Sequence, residues 1–458
     1  MQNFIKTERL TPLKLPANER LKHFGEIYAL FDTAKAAQQA ERCVQCGDPY
    51  CSANGCPLHN YIPHWLKAIA EKNPRRAFLL SNENSPFPEI LGRICPQDRL
   101  CEGSCTLGAD NFGAISIGAI ETAITERFFE GGETIAYPKI RSAKRAAVIG
   151  SGPASLSAAT FLARAGIAVE IFEKDDRAGG LLTFGIPNFK LDKNVVDRRF
   201  ELLQKGGVKI RLKTEVGKDI SFDEILQNFD AVFVGIGARK PAKAKVENED
   251  ENGVHSAIDF LTAAQKHLFD PKNPPLFDAK DKRVIVIGGG DTAMDCVRSS
   301  LRLGAASAIC AYRRGEAGMP GSKKEFINAK EEGAEFLFNR APNRVIASGG
   351  KVSGVEFVQT KIEGEGRHGK LTTIAGSEEV IAADAVIMAL GFEHQAKSWL
   401  SGVALNDKGA IVADEFGRTS NPKVFAGGDA VRGASLAVKA AADGKRAALS
   451  IIESLTQE

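Results

Sequence analysis

The sequence predicts an α/β chain in three parts: a mostly helical, cysteine-rich segment, then two parallel-sheet modules of like build. Three observations carry this expectation. Seven of the nine cysteines stand before residue 106, in a stretch rich in Ala, Leu, Glu and Lys. Beyond about residue 145 the texture changes to short β-branched runs alternating with helical patterns, which signals βαβ units. Two of these runs open alike. "RAAVIGSGPAS" (145–155) and "RVIVIGGGDTA" (283–293) are each an apolar strand passing through a glycine-rich turn into a helix.

The chain has 458 residues, enough for two or three substantial cores. It is 43% hydrophobic and 26% charged, and its net charge of +3 gives no pull toward nucleic acid or membrane, so neither is expected as a partner. "MQNFIKTERLTPLKL" shows no apolar signal core, and no apolar run reaches the roughly 18 residues of a membrane span. A cytoplasmic protein is expected. In such a reducing compartment clustered cysteines are metal ligands or redox groups more often than disulfides.

Along the chain, "NERLKHFGEIYALFDTAKAAQQAERC" (18–43) reads as helix, interrupted only at Gly25. "EGGETIAYPKIRSAKR" (130–145) reads as a linker. In the first module Gly150 and Gly152 form the strand-to-helix turn, and Pro153 and Ala154 open the helix. Such a turn lets the backbone approach a pyrophosphate held on the helix N-terminus. Ser155 replaces the usual third glycine. The second strand, "IAVEIFEK", ends at Glu173, 23 residues after Gly150, where an acid can bind ribose hydroxyls. Gly180, Leu181 and Gly237 are further candidates for this site.

The second module has Gly288 and Gly290, then Asp291 and Thr292, with Ala293 at the third glycine position. Its second strand, "ASAICAYRR", ends in Arg313 and Arg314 rather than an acid. Arginine binds a 2′-phosphate that an acid would repel, so NADP(H) is expected over NAD(H); the plain alternative is two solvated arginines. Gly391 ends a later strand, "DAVIMALGF" (384–392). "DPKNPPLFDAKDK" (270–282) looks like the crossing between modules. The last strand-turn-helix, "KVFAGGDAVRGASLAVKAAADGKRAA" (423–448), places Gly428 and Asp429 where an aspartate can bond a flavin ribityl chain. FAD in the first module and NADPH in the second is the simplest pair. Hydride transfer between them is the cofactors' own chemistry, so no catalytic side chain is assigned.

The cysteines run Cys43-x₂-Cys46-x₄-Cys51-x₄-Cys56-Pro57, then Cys95-Pro96, Cys101 and Cys105. Seven is odd for disulfides and one short of the eight ligands that two four-iron clusters need. A four-cysteine zinc site is the rival, but it usually shows two separated C-x₂₋₄-C pairs. A cysteine run closing in Cys-Pro follows ferredoxin logic, in which that last cysteine serves a second cluster. Cys296 and Cys310 stand apart and read as buried thiols. Electrons leaving a flavin would therefore exit through the cysteine domain.

The stretches "CGDPYC", "CPLHNYIPHWLK", "GRICPQDRLCEGSCTL", "GGLLTFGIPNFKL", "GGGDTAMDCVR", "AYRRGEAGMPGSKKE" and "TSNPKVFAGGDAVRG" span nearly the whole chain. With them the sequence resembles the small (beta) subunits of bacterial NADPH-dependent glutamate synthase. The same module occurs in dihydropyrimidine dehydrogenases and NADH-dependent ferredoxin:NADP oxidoreductases. The resemblance implies a glutathione-reductase-like pair of Rossmann-like domains after a helical iron–sulfur domain. It divides the chain into 1–140 for two [4Fe–4S] clusters, 141–270 with 391–458 for a discontinuous FAD domain, and 271–390 for NADPH. It also implies the pairing: Cys43, Cys46, Cys51 and Cys105 on one cluster, and Cys56, Cys95 and Cys101 on the other. Glu121, in "SIGAIETAITERFF", would be the eighth ligand. The implied work is to pass electrons from NADPH through FAD and the clusters to a large (alpha) subunit. That partner carries FMN and makes L-glutamate from L-glutamine and 2-oxoglutarate. This chain has Gln2 after Met1, not the cysteine nucleophile of that chemistry. The alternative is the same module serving another partner.

Overall fold

The computed structural model describes residues 1–364 and 369–456. The N-terminal region is helical: α1 (Thr33–Ala40), α2 (Ile62–Ala70), α3 (Pro74–Asn84), α4 (Pro88–Ile94) and α5 (Ile117–Glu130). Pro opens α3 and α4 at their first position, where a missing N–H costs nothing. Trp65, Phe78 and Ile120 are buried at the centre of this region. The expectation of one helix over 18–43 fails. Residues 22–32 are non-helical, because backbone bonds from Leu15 N to Ile27 O (3.0 Å) and from Ala29 N to Leu13 O (2.9 Å) fold the segment back on itself. Ile27 and Phe31 are buried by this turn, so tertiary burial overrides the local preference.

After an extended stretch come β1 (Arg145–Ile149), α6 (Pro153–Arg164), β2 (Ala168–Phe172), α7 (Lys193–Lys205), β3 (Lys209–Arg211), β4 (Ala231–Val234) and β5 (Lys240–Pro241). Next are β6 (Val254–Ser256), α8 (Ala257–Phe269), β7 (Arg283–Ile287), α9 (Asp291–Arg302), β8 (Ser307–Tyr312), α10 (Lys323–Glu331) and β9 (Glu335–Phe338). The antiparallel strands β10 (Arg340–Ser348), β11 (Lys351–Glu363), β12 (Lys370–Thr373) and β13 (Glu379–Ala382) lead to β14 (Ala385–Met388). The chain ends with β15 (Phe392–Glu393), β16 (Val424–Ala426) and α11 (Ala437–Thr456).

Two five-stranded parallel sheets result, ordered β16-β4-β1-β2-β3 and β6-β14-β7-β8-β9. Their central strands are buried on both faces, as the continuous apolar runs require. The second sheet begins earlier than the 270/271 boundary read from the sequence. Strand β6 pairs with β14, and Ala257, Phe260 and Leu261 of α8 pack in the core of the second unit. The chain crosses between units at β5 and β15, which pair antiparallel through Phe392↔Pro241 and Glu393↔Lys240. Phe87, Ile90 and Leu91 of α4 share a core with β1, α6 and α11. This anchors the end of α4 against the first unit. Among the described residues no helix is long and apolar enough to cross a membrane.

Candidate functional site

The carboxyl ends of β1, β4 and β16 open into a cleft of about 740 Å³, the side on which open parallel sheets bind ligands. It brings together Gly150, Gly152, Pro153, Ala154, Glu173, Gly180, Leu181, Gly237 and Asp429. Gly428 is adjacent but does not line the cleft; its N–H donates to Asp443 Oδ2 at 3.1 Å. Gly152 is informative. Its φ is −65°, which any residue adopts, and a Cβ built on it would meet no protein atom within 4 Å. Neither backbone nor packing demands glycine there, and the open space at the helix N-terminus leaves room for an anionic group to approach the backbone. The second module repeats the device at Gly290, with φ −89° and the same open space.

Glu173 is buried and accepts from Ser151 Oγ and from Asp175 N at 2.9 Å. Burial lifts the Asp429 carboxyl to about 7, against the lowering effect of the Ser435 N–H bond at 3.2 Å. From the second module Asp291, Thr292 and Gly391 line the far end of the same cleft. Gly288, Gly290, Arg313 and Arg314 do not line it, the two arginines following the end of β8. The carbonyls of these arginines accept from Thr360 Oγ1 (2.7 Å) and Asn339 N (3.2 Å), and the Arg313 side chain is exposed.

The seven N-terminal thiols fall into two groups. Cys43, Cys46, Cys51 and Cys105 lie close enough to feel one another's charge. Cys56, Cys95 and Cys101 do the same with Glu121. All four of the second group line a separate cavity of about 30 Å³. Glu121 lies on α5 and is buried rather than exposed. Burial, then the charge of Glu89, lifts its carboxyl to about 8, while Asn60 Nδ2 donates to its Oε1 at 2.7 Å. Burial pushes the Cys51 thiol to about 12 and raises Cys56, Cys95 and Cys101 as well. Buried thiols of this kind ionise only with a compensating cation, so the donor set fits a metal centre. Among the described residues no three such side chains converge on one single-ion position. Cys95 lines both the small cavity and the large cleft.

Some cleft residues carry no sequence signature. Lys190 Nζ donates to Asp295 Oδ1 at 2.9 Å across the two units. Ser151 Oγ, besides donating to Glu173, accepts from Gly179 N at 2.8 Å. Asp295 follows the glycine loop at helical spacing from Asp291, which is a signal in hindsight; Lys190 and Asn60 offered none.

The description "Dihydropyrimidine dehydrogenase domain II, 4Fe-4S cluster" matches residues 20–133, and "Pyridine nucleotide-disulphide oxidoreductase" matches residues 144–444. The glutamate synthase [NADPH] small chain of Escherichia coli (strain K12) is 47% identical over 98% of this chain and 98% of that one. The chain belongs to the glutamate synthase [NADPH] small chain family. A second glutamate synthase [NADPH] small chain, from Halomonas elongata, is 45% identical over 99% of this chain and 98% of its own. Among solved structures, Mycobacterium tuberculosis FprA in complex with NADPH superposes with a TM-score of 0.59 at 19% identity. The match covers 69% of this chain and 85% of FprA, a likeness of fold. As a member of the glutamate synthase small chain family the protein is an NADPH-dependent oxidoreductase, with a 4Fe–4S domain ahead of its pyridine-nucleotide domain.

Proposed function

We propose that this chain is the electron-input component of a glutamate synthase. It would take electrons from NADPH and deliver them to a large subunit that forms L-glutamate from L-glutamine and 2-oxoglutarate. When bound, NADPH and FAD supply hydride exchange and two [4Fe–4S] clusters supply one-electron transfer. The first glycine loop, Glu173 and Asp429 hold the flavin dinucleotide. The second loop and the Arg313–Arg314 pair hold NADPH by its pyrophosphate and 2′-phosphate. Cys56, Cys95, Cys101 and Glu121 hold the inner cluster, and Cys43, Cys46, Cys51 and Cys105 the outer one.

The observation that carries this reading is the double position of Cys95, which lines the dinucleotide cleft and the cavity shared with Cys56, Cys101 and Glu121. That wall supports a route from the cleft into the cysteine domain. The outer set, with Cys46 beside Thr106 Oγ1 at 3.3 Å in an exposed contact, supports an exit toward a docked partner. The test is iron, acid-labile sulfide and flavin content of anaerobically purified protein, alone and with a large subunit co-expressed. About eight iron and one FAD per chain, with glutamate formed only in the complex, are expected. One FAD with zinc and no sulfide would refute the relay.

A second reading is favoured by the dihydropyrimidine dehydrogenase description of residues 20–133. In it the same module serves another acceptor. Stable association with a subunit that lacks glutamine- and 2-oxoglutarate-dependent activity would support it.

A further inference from the structure

We propose that Asn60 is the positioning residue of the carboxylate ligand: it holds Glu121 by one oxygen so that the other is presented to the inner iron–sulfur centre. The inference rests on the reading of Glu121 as the eighth ligand.

Asn60 is 2% exposed and lines the small cavity with Cys56, Cys95, Cys101 and Glu121. Its side-chain Nδ2 donates to Glu121 Oε1 at 2.7 Å, a bond buried on both sides. Among the described residues no other donor bonds the Glu121 carboxyl, so Oε2 is left to the cavity. Three contacts fix Asn60 from the backbone outward. Its carbonyl accepts from Ser52 Oγ at 2.6 Å, next to Cys51 of the outer set. Its backbone N–H favours the ionised Cys56 thiol, and the preceding His59 N–H donates to the Cys56 carbonyl at 2.9 Å. The turn that carries it is pinned by Asn84 Nδ2, which donates to His59 O at 2.8 Å. The amide therefore stands between a ligand of each set and a third ligand on α5.

A carboxylate has two equivalent oxygens, and a ligand that alternates between them is poorly defined. A donor on one oxygen removes the choice and withdraws electron density from the iron-bound one, which favours the reduced centre. A buried carboxylate without that donor loses a charge-assisted hydrogen bond. Among the described residues Asn60 Oδ1 is itself buried without a hydrogen-bond partner, although Asn60 lines the same cavity. Such an orphan is costly for folding alone and fits a side chain kept for its other end.

The test uses the complete flavin- and cluster-loaded protein, purified anaerobically, with Asn60→Leu, Glu121→Ala and the double variant. The readouts are low-temperature EPR of the reduced protein and the midpoint potential of each cluster. With Asn60→Leu, one of the two cluster signals is expected to change shape and its midpoint to fall. The other cluster and the flavin content should be unaltered. In the double variant Asn60→Leu should add nothing to the change made by Glu121→Ala. If Glu121→Ala alters a cluster while Asn60→Leu leaves both signals and potentials as in the wild type, or if the two changes add, the positioning role is wrong and the ligand reading stands. If Glu121→Ala leaves both clusters untouched, the ligand reading falls and the inference with it. Should Asn60→Leu not accumulate, Asn60→Ser, too short to reach Glu121, is read by the same criteria.

Discussion

Replacing Glu332 with glutamine tests how the iron–sulfur region is joined to the second dinucleotide unit. Glu332 caps α10 and its side chain is wholly buried. Its carboxylate receives Arg298 Nε and Nη2 at 2.8 and 2.9 Å and Arg302 Nη1 and Nη2 at 2.6 and 3.1 Å. Arg20 Nη1 reaches it from the N-terminal region at 3.3 Å. Burial would raise the carboxyl's pKa, but the bonds from Arg298 and Arg302 outweigh it and hold the group near 2. Against an unfolded value of about 4.3, a difference of about 2.3 units at about 1.4 kcal/mol each is about 3 kcal/mol. Removing one partner of a buried ion pair costs about 3–5 kcal/mol by independent measure. Glu332→Gln should therefore lose about 3 kcal/mol or more in urea unfolding followed by far-UV circular dichroism. Because the folded pKa is depressed, the contribution is complete above about pH 4.5 and is lost as pH falls toward 2. The gap between wild type and variant should thus narrow between pH 5 and pH 3. A loss below about 1 kcal/mol, or a gap that does not move with pH, would refute the reasoning.

Changing Arg313 and Arg314 together to alanine should raise KM for NADPH by about tenfold or more and leave KM for NADH nearly unchanged; steady-state kinetics with an artificial acceptor would show unaltered discrimination if the 2′-phosphate assignment is wrong. Gly152→Ala should fold with wild-type thermal stability as apoprotein, since its Cβ meets no protein atom within 4 Å, and yet retain less flavin; full flavin occupancy would count against the assigned approach of the pyrophosphate. Gly290→Ala should keep its flavin while weakening NADPH binding, measured by anaerobic titration of flavin reduction. Cys95→Ser should roughly halve the iron content and slow transfer to a one-electron acceptor, while NADPH still reduces the flavin; unchanged iron would place the inner centre elsewhere.

The parts of the site that were legible in the sequence are those whose chemistry is written in short stretches. The two glycine turns lie at the carboxyl ends of β1 and β7, because strand, turn and helix follow one another within a dozen residues. The cysteines divide into two groups because most members of each lie within one or two loops. Long-range burial was not legible. Residues 18–43 have helical composition, but only Ala17–Arg20 and Thr33–Ala40 form α-helix, because Phe24 meets Phe189 and Ile27 and Phe31 turn inward. The early start of the second sheet was hidden as well. Its first strand is the three-residue "VHS", with no apolar run to announce it. Asn60 was invisible for a different reason. An amide in a turn is ordinary, and only the distance to a glutamate 61 positions away gives it meaning.

The geometry also explains why the cysteine region must touch both dinucleotide units rather than hang from one. In the proposed relay, transfer between centres needs a fixed separation, so the helix that ends at Cys95 would have to be held at both ends. Its apolar face is buried in the first unit through Phe87, Ile90 and Leu91. Arg93, which lines the cleft beside Cys95, is clamped by Glu26 at 2.7 Å and Glu126 at 3.0 Å. Glu26 Oε1 in turn accepts from Asp192 N of the first unit at 2.9 Å. On the other side Lys14 and Arg20 bind Glu331, each at 2.6 Å, and Arg99, in the loop between Cys95 and Cys101, donates to Pro320 O at 2.6 Å. Mostly polar contacts fix the second unit, whereas the first is held by a shared apolar core together with ion pairs from Arg199 to Glu89 and from Arg198 to Glu126. Added salt should therefore screen the half-exposed Lys14–Glu331 pair well before it reaches the buried ion pairs of either join.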